Sequence, residues 1–183
     1  MELYLIRHGI AVERSHEIKD EERSLTAEGR EKTRKVAKRL YELGLRFELI
    51  LTSPLVRSRQ TAEILQSCGL SSQIEEFSCL APDGDIQNWL NWLEQWQMVS
   101  NNTQLALVGH QPDLGQWAEI LVWGEAIVGE GLADTSESLA TRLSNSPVIV
   151  LKKAGIIGLK LPQAGSPVGH SQMFWLTGPK FLL

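Results

Sequence analysis

The sequence has little cysteine: 2 residues in 183, Cys68 and Cys79, without C-x-x-C spacing and without a Cys/His cluster of zinc-site pattern. A disulfide scaffold and a structural zinc site are therefore excluded, and both thiols read as packing residues. No apolar run approaches the ~18 residues that mark a membrane span. The N-terminus has neither the basic n-region nor the long apolar h-region of a signal peptide, so the chain reads as cytoplasmic and without membrane contact. One-sided charge is missing too. The net charge is −4 with acids and bases interspersed, which excludes a broad electrostatic footprint for nucleic acid, so any anion site must be local.

What is present fits a compact globular protein. Hydrophobic residues make up 43% and charged residues 22%, and no repeat, linker or low-complexity tract divides the chain. A single domain over residues 1–183 is expected, long enough to bury a real core. Apolar runs and helical periods alternate along it. "LYLI" at 3–6 is a short uninterrupted run suited to a strand covered on both faces. A helix follows, capped by Thr26 and ending near Gly44, with Val36, Ala37, Leu40 and Leu43 on its apolar face. "ELILTS" predicts a second strand, and the next segment a helix with Ser53 at the N-cap, Pro54 at the first helical position and Gly69 past its end.

A third short strand is expected near "QIEEF". It precedes a helix in which Trp89, Leu90, Trp92, Leu93 and Trp96 form a core stripe at helical spacing. "LALVG" predicts a fourth strand, and a helix runs from about Asp113 to Trp123. Residues 125–147 lose the pattern and read as a loop or lid, after which "VIVLKK", "GIIGLKL" and "QMFWLT" predict closing strands, at least one of them antiparallel. The expectation is an α/β fold with a mainly parallel central sheet and helices on both faces, in three layers.

In such sheets sites form beyond the carboxyl ends of strands, and three of these ends carry unusual residues. The first strand ends in Arg7-His8-Gly9. The second ends in Thr52-Ser53-Pro54, with Arg57 one turn into the next helix, and the fourth in Gly109-His110-Gln111-Pro112. A lone histidine after a strand is more often structural than catalytic, and a lone arginine is usually a surface residue. Their coincidence at strand ends, with glycines that admit a ligand to the backbone, points to a phosphate site. His16 and His170 have no motif context.

These residues resemble the histidine phosphatase superfamily, whose signature is an Arg-His-Gly triplet after the first strand. "LIRHG" matches it, as do "LTAEG" at 25–29, "TSPLVRSRQTAE" at 52–63 and "VGHQP" at 108–112. The short chain and "LAPDGD" at 80–85 look most like the SixA-type phosphohistidine phosphatases. The resemblance implies a phosphoglycerate mutase-like fold, with His8 as nucleophile and Arg7, Arg57 and His110 around the phosphoryl oxygens. It covers residues 1 to about 123 well and gives no counterpart for 125–147.

The chemistry also follows from the residue types. A neutral imidazole is a good nucleophile toward phosphorus, and the phosphoramidate it forms is labile to water. Two guanidiniums offer forked donors to a dianion and disfavour protonation of His8. Gly9 leaves room for the phosphate, and Ser53 combines a capping role with a local hydrogen bond to it.

An alkoxide leaving group needs an acid, which superfamily members acting on phosphate esters take from a carboxylate after the third strand. Here only Asp83 and Asp85 are near, and Asp85 equally suits the N-cap of the tryptophan helix. The segment 125–147 and the polar loop at 13–24 are two other sources of a carboxylate over the site. Imidazole has a reference pKa of ~6.5 and leaves without a strong acid, so a weak acid site favours a P–N substrate. The expected activity is a metal-independent and cofactor-free phosphatase acting on phosphohistidine in a phosphorylated protein. Its rivals are a phosphatase or mutase for a small phosphorylated ester, and a non-catalytic phosphate-binding module.

Overall fold

The structure is a computed structural model that describes residues 1–97, 104–124 and 148–183. The expected loop or lid at 125–147 lies outside the described residues. Six strands form one sheet: β1 (Glu2–Arg7), β2 (Leu49–Thr52), β3 (Ile74–Glu76), β4 (Gln104–Gly109), β5 (Ile156–Lys160) and β6 (Gln172–Thr177). Their spatial order is β3-β2-β4-β1-β5-β6. The pairs β2·β3, β2·β4 and β1·β4 are parallel, while β5 runs antiparallel to both β1 and β6. The α-helices among the described residues are α1 (Ala27–Glu42), α2 (Val56–Ser67), α3 (Ile86–Gln97) and α4 (Asp113–Trp123). This is the phosphoglycerate mutase-like α/β fold, with a mostly parallel sheet.

The period-2 alternation of the central strands sorts their side chains into two cores. Leu3, Leu5, Leu105 and Leu107 pack with Trp89, Leu93, Trp117 and Leu121 of α3 and α4. Tyr4, Ile6, Ala106 and Val108 pack with Val36, Leu40, Ile64 and Leu65 of α1 and α2. Three layers result. None of the helices among the described residues is long and apolar enough to cross a membrane.

Several local expectations change. Leu43 is not on the buried face of α1: it lies past the end of the helix and is 48% exposed, whereas Thr33 completes the stripe. Gly44 and Gly69 do take the left-handed conformation past their helices. In α3, Trp89 and Leu93 enter the core, but Trp92 and Trp96 stack on each other at its rim, with ring centroids 5.4 Å apart. "VIVLKK" is not a strand. Side chains hold it instead, because Gln111 Nε2 donates to the Ile149 carbonyl at 3.0 Å and Ile149 N–H donates to Glu119 Oε1 at 2.7 Å.

Candidate active site

Strand register explains how distant motifs meet. Arg7 is paired with Gly109 across β1·β4, and Thr52 with Val108 across β2·β4. His8, His110 and Ser53 therefore stand one residue beyond aligned carboxyl ends, bound together by His8 N–H to the Gly109 carbonyl (3.1 Å) and Ser53 N–H to the Val108 carbonyl (2.9 Å). The imidazoles of His8 and His110 lie 5.2 Å apart, centroid to centroid. His8, Arg57 and His110 are 6%, 3% and 4% exposed.

Hydrogen bonds set the tautomers. His8 Nδ1 lies 2.7 Å from the Gly9 carbonyl oxygen, which only accepts, so Nδ1 carries the proton. Nε2 is left with its lone pair and has no hydrogen-bond partner among the described residues. His110 has the opposite arrangement. Arg57 NH2 donates to its Nδ1 at 3.4 Å, so Nε2–H donates to Ser53 Oγ at 2.8 Å, with Ser58 Oγ at 3.3 Å.

Burial lowers the pKa of His8 to about 3; the fields of His110, Arg57 and Arg7 push the same way against the opposing Gly9 hydrogen bond. Burial, followed by the field of Arg57, also lowers His110 to about 3. Both rings are neutral near pH 7.

The arginines are positioned by different elements. Arg57 stands in the first turn of α2 and donates from NH1 to the Asp20 carbonyl (2.6 Å) and from NH2 to Asp20 Oδ2 (2.9 Å). Arg7 donates from NH1 to the Leu151 carbonyl at 2.7 Å. The Nε–H groups of both arginines are buried without a partner among the described residues, an arrangement suited to an added anion. Burial lowers the pKa of each guanidinium, with Asp20 opposing the shift at Arg57.

One expected role changes. Ser53 does not cap α2, which starts at Val56 with Leu55 in the cap position. Its hydroxyl accepts from Leu55 N–H at 3.3 Å while also meeting His110, and the helix starts only after Leu55, which is itself extended. Packing also requires Gly9 to be small. A Cβ there would lie 2.4 Å from Thr33 Oγ1, and its N–H already donates to Thr61 Oγ1 at 3.1 Å.

Asp85 caps α3 by accepting from Gln87 N–H at 2.8 Å. Asp83 sits at φ +63° and donates its backbone N–H to Asp113 Oδ1 at 3.0 Å. Neither carboxylate hydrogen-bonds to His8, Arg57 or His110. Both line a separate cavity of about 620 Å³ beside Trp92. Burial raises the pKa of Asp113, at the start of α4 just after His110-Gln111-Pro112.

The residues missed from sequence are Asp20, Ser58 and Thr61. Ser58 and Thr61 follow Arg57 on the buried face of α2, and that helical spacing of polar residues was the available signal. Asp20 also binds Arg23 NH1 (2.7 Å) and Arg14 Nε (2.9 Å). Burial pushes its carboxyl up, yet hydrogen bonds from Arg23, Arg57 and Arg14 hold it well below the usual carboxylate range.

The chain is similar to known proteins in sequence and in fold. An uncharacterized protein of Picosynechococcus sp. is 45% identical over 184 residues, covering 100% of this chain and 99% of its own. The protein histidine phosphatase SixA, solved in complex with tungstate, superposes with a TM-score of 0.77 at 23% identity over the whole of both chains. The alpha-ribazole phosphatase of Shigella flexneri superposes with a TM-score of 0.65 at 15% identity, over 98% of this chain and 97% of its own. The family model of the histidine phosphatase superfamily (branch 1) matches residues 3–79, the stretch that carries the Arg7-His8-Gly9 triplet and Arg57. By that match over residues 3–79 and by the phosphoglycerate mutase-like α/β fold shared with these structures, this chain is similar to the histidine phosphatase superfamily.

Proposed function

We propose that this phosphatase transfers a phosphoryl group from phosphohistidine on a protein to His8 Nε2, and from there to water. The observation that carries the reading is a buried neutral imidazole with Nδ1 tethered to Gly9 and Nε2 unpartnered, between two arginines and a second histidine. In the first step Nε2 forms a bond to phosphorus as the P–N bond to the substrate imidazole breaks. The departing ring takes one proton on its free nitrogen and leaves as neutral imidazole; because that nitrogen titrates near ~6.5, solvent can supply the proton and no strong acid is needed. In the second step water attacks phosphorus, the bond to Nε2 breaks, and phosphate leaves with the water's oxygen.

Arg7 and Arg57 carry the charge that builds on the equatorial oxygens, and Ser53 and Ser58 hold His110 in its tautomer. Asp85 is committed to capping α3, which fits a leaving group needing no strong acid. A second reading is hydrolysis of a small phosphate ester, the class of activity named for the alpha-ribazole phosphatase that shares this fold.

Phosphate release from a phosphohistidine-bearing phosphotransfer domain and from an aryl phosphate tests both, with wild type beside His8→Ala. Expected is release from the phosphotransfer domain that falls at least ~10³-fold in His8→Ala, in the range lost when a covalent nucleophile is removed. Near-wild-type activity in His8→Ala overturns the mechanism, and preference for the aryl phosphate moves the substrate to small esters.

A further inference from the structure

Arg7 lines a second space besides the phosphoryl cluster. This cavity of about 350 Å³ is bounded by Arg7, Lys32, Thr33, Lys152, Lys153 and Ala154 among others, and no acidic residue lines it. Lys32 is paired with Glu28 at 2.6 Å. Lys152 and Lys153 are exposed and have no ion pair among the described residues. In a chain of net charge −4, such a cluster is a local concentration of positive charge that, among the described residues, is balanced by an ion pair only at Lys32.

The cluster is built into the strand that carries His8. Gly155 N–H closes a turn onto the Lys152 carbonyl at 2.7 Å. Ala154 N–H is shared between the carbonyls of Arg7 and His8, at 3.1 Å each, and Arg7 N–H donates to the Gly155 carbonyl at 3.1 Å. To make these bonds Ala154 adopts φ +58°, a conformation an alanine takes only where its surroundings impose it. The two lysines are thus anchored within a residue or two of the nucleophile's own backbone.

Thr33 is 1% exposed, and its hydroxyl has no hydrogen-bond partner among the described residues; the Arg7 Nε–H is also buried and unpartnered. These two atoms lie behind the cavity surface, so the charge that faces a ligand here comes from the guanidinium that borders both spaces and from the two unpaired lysines.

We infer that this cavity is an anion subsite that takes a second acid group of the substrate while its phosphoryl group lies at His8. The inference rests on the phosphatase reading above and adds a specificity determinant: Lys152 and Lys153 select substrates with a carboxylate or phosphate near the scissile bond. Two sources share that chemistry, acidic side chains flanking a phosphohistidine in a protein and the acid group of a small ester.

The test compares kcat/KM within two matched pairs. One pair is a phosphohistidine peptide flanked by glutamates against the same peptide flanked by alanines. The other is phosphoglycolate against ethyl phosphate. Each is measured with wild type, the double variant K152A/K153A and the charge-preserving K152R/K153R, with His8→Ala as the blank. In wild type the acidic member of at least one pair is expected to be preferred about tenfold. That ratio should fall to near 1 in K152A/K153A and in 0.5 M salt, and persist in K152R/K153R.

Preference in the peptide pair identifies acidic protein surfaces as the source, and preference in the ester pair identifies small acids. His8-dependent turnover with a ratio near 1 in wild type, or a ratio unchanged in K152A/K153A, overturns the subsite and leaves the phosphatase reading standing. Absence of His8-dependent turnover of all four compounds overturns the phosphatase reading, and the subsite falls with it.

Discussion

Asp20 faces the same guanidinium that a phosphoryl dianion would engage. Its carboxylate accepts from Arg57 NH2, and its carbonyl accepts from NH1, so an arriving anion meets a cation already half-neutralised. Asp20→Asn keeps the shape and an acceptor oxygen while removing the repelling charge. Even at the dielectric of bulk water, one like charge ~4 Å away costs an anion about 1 kcal/mol, the smallest effect to expect here. Inhibition by inorganic phosphate should therefore tighten at least about fivefold in Asp20→Asn. A weaker Ki would show instead that the carboxylate's hold on Arg57 matters more than its charge.

This contact also marks where residue-level reading of the sequence stops. Arg7, His8, Arg57 and His110 stand out because each interrupts or closely follows an apolar run, where a charged or titratable side chain is physically unexpected. Asp20 sits among acids and bases in a segment without period, and only the fold shows which arginine it meets. Ser53 was legible as a polar residue at a strand end, but its partner was not: capping and a hydrogen bond to His110 require the same residue type.

At the level of elements, the packing of α1 against the loop after β1 holds the Arg7-His8-Gly9 turn in place. Thr26 Oγ1 accepts from Gly29 N–H at 2.9 Å, and Thr26 N–H donates to the Ile10 carbonyl at 2.9 Å. Gly29 lets this helix turn touch the loop, since a Cβ there would lie 2.0 Å from the Ile10 carbonyl oxygen, a backbone atom that cannot swing aside. Gly29→Ala should thus destabilise the protein by about 1–3 kcal/mol, the range for overpacking, although alanine is the better helix former. Gly44→Ala is a useful contrast: nothing lies within 4 Å of its added Cβ, so its cost is only that of φ +87°. Urea unfolding midpoints compare the two, and a Gly29→Ala variant as stable as wild type would disprove the close approach.

The elements easiest to read were those whose periodicity and end signals agreed, such as α1 with Thr26 and Gly44, and α4 from Asp113 to Trp123. Segment 148–153 misled because an uninterrupted apolar run reads as a strand even where side chains rather than a ladder satisfy its backbone. Gln111, which supplies those bonds and thereby sets the Leu151 carbonyl against Arg7, lies some 40 residues away in sequence, beyond the reach of any local pattern.

For the whole molecule, the site's electrostatics become a dependence of stability on pH. His8 and His110 have folded pKa values depressed to about 3, whereas in the unfolded chain they titrate near the reference ~6.5. Between those values the unfolded chain binds protons that the native state refuses, so stability falls as pH is lowered. Each histidine contributes a slope approaching ~1.4 kcal/mol per pH unit, or roughly 4 kcal/mol for the pair between pH 7 and 5, a large part of the 5–15 kcal/mol typical of a domain. Asp20 adds to the loss further down, because its depressed folded pKa contributes stability above the unfolded carboxylate value that disappears as pH falls through it. Asp113, raised by burial, has the opposite sign and offsets part of the loss in acid. Urea unfolding at pH 7.5, 6 and 5 should show a steep decline in wild type and a shallower one in His8→Gln/His110→Gln. Equal slopes would mean that the two imidazoles accept protons in the folded protein, and the neutral nucleophile on which the proposed chemistry depends would be lost with them.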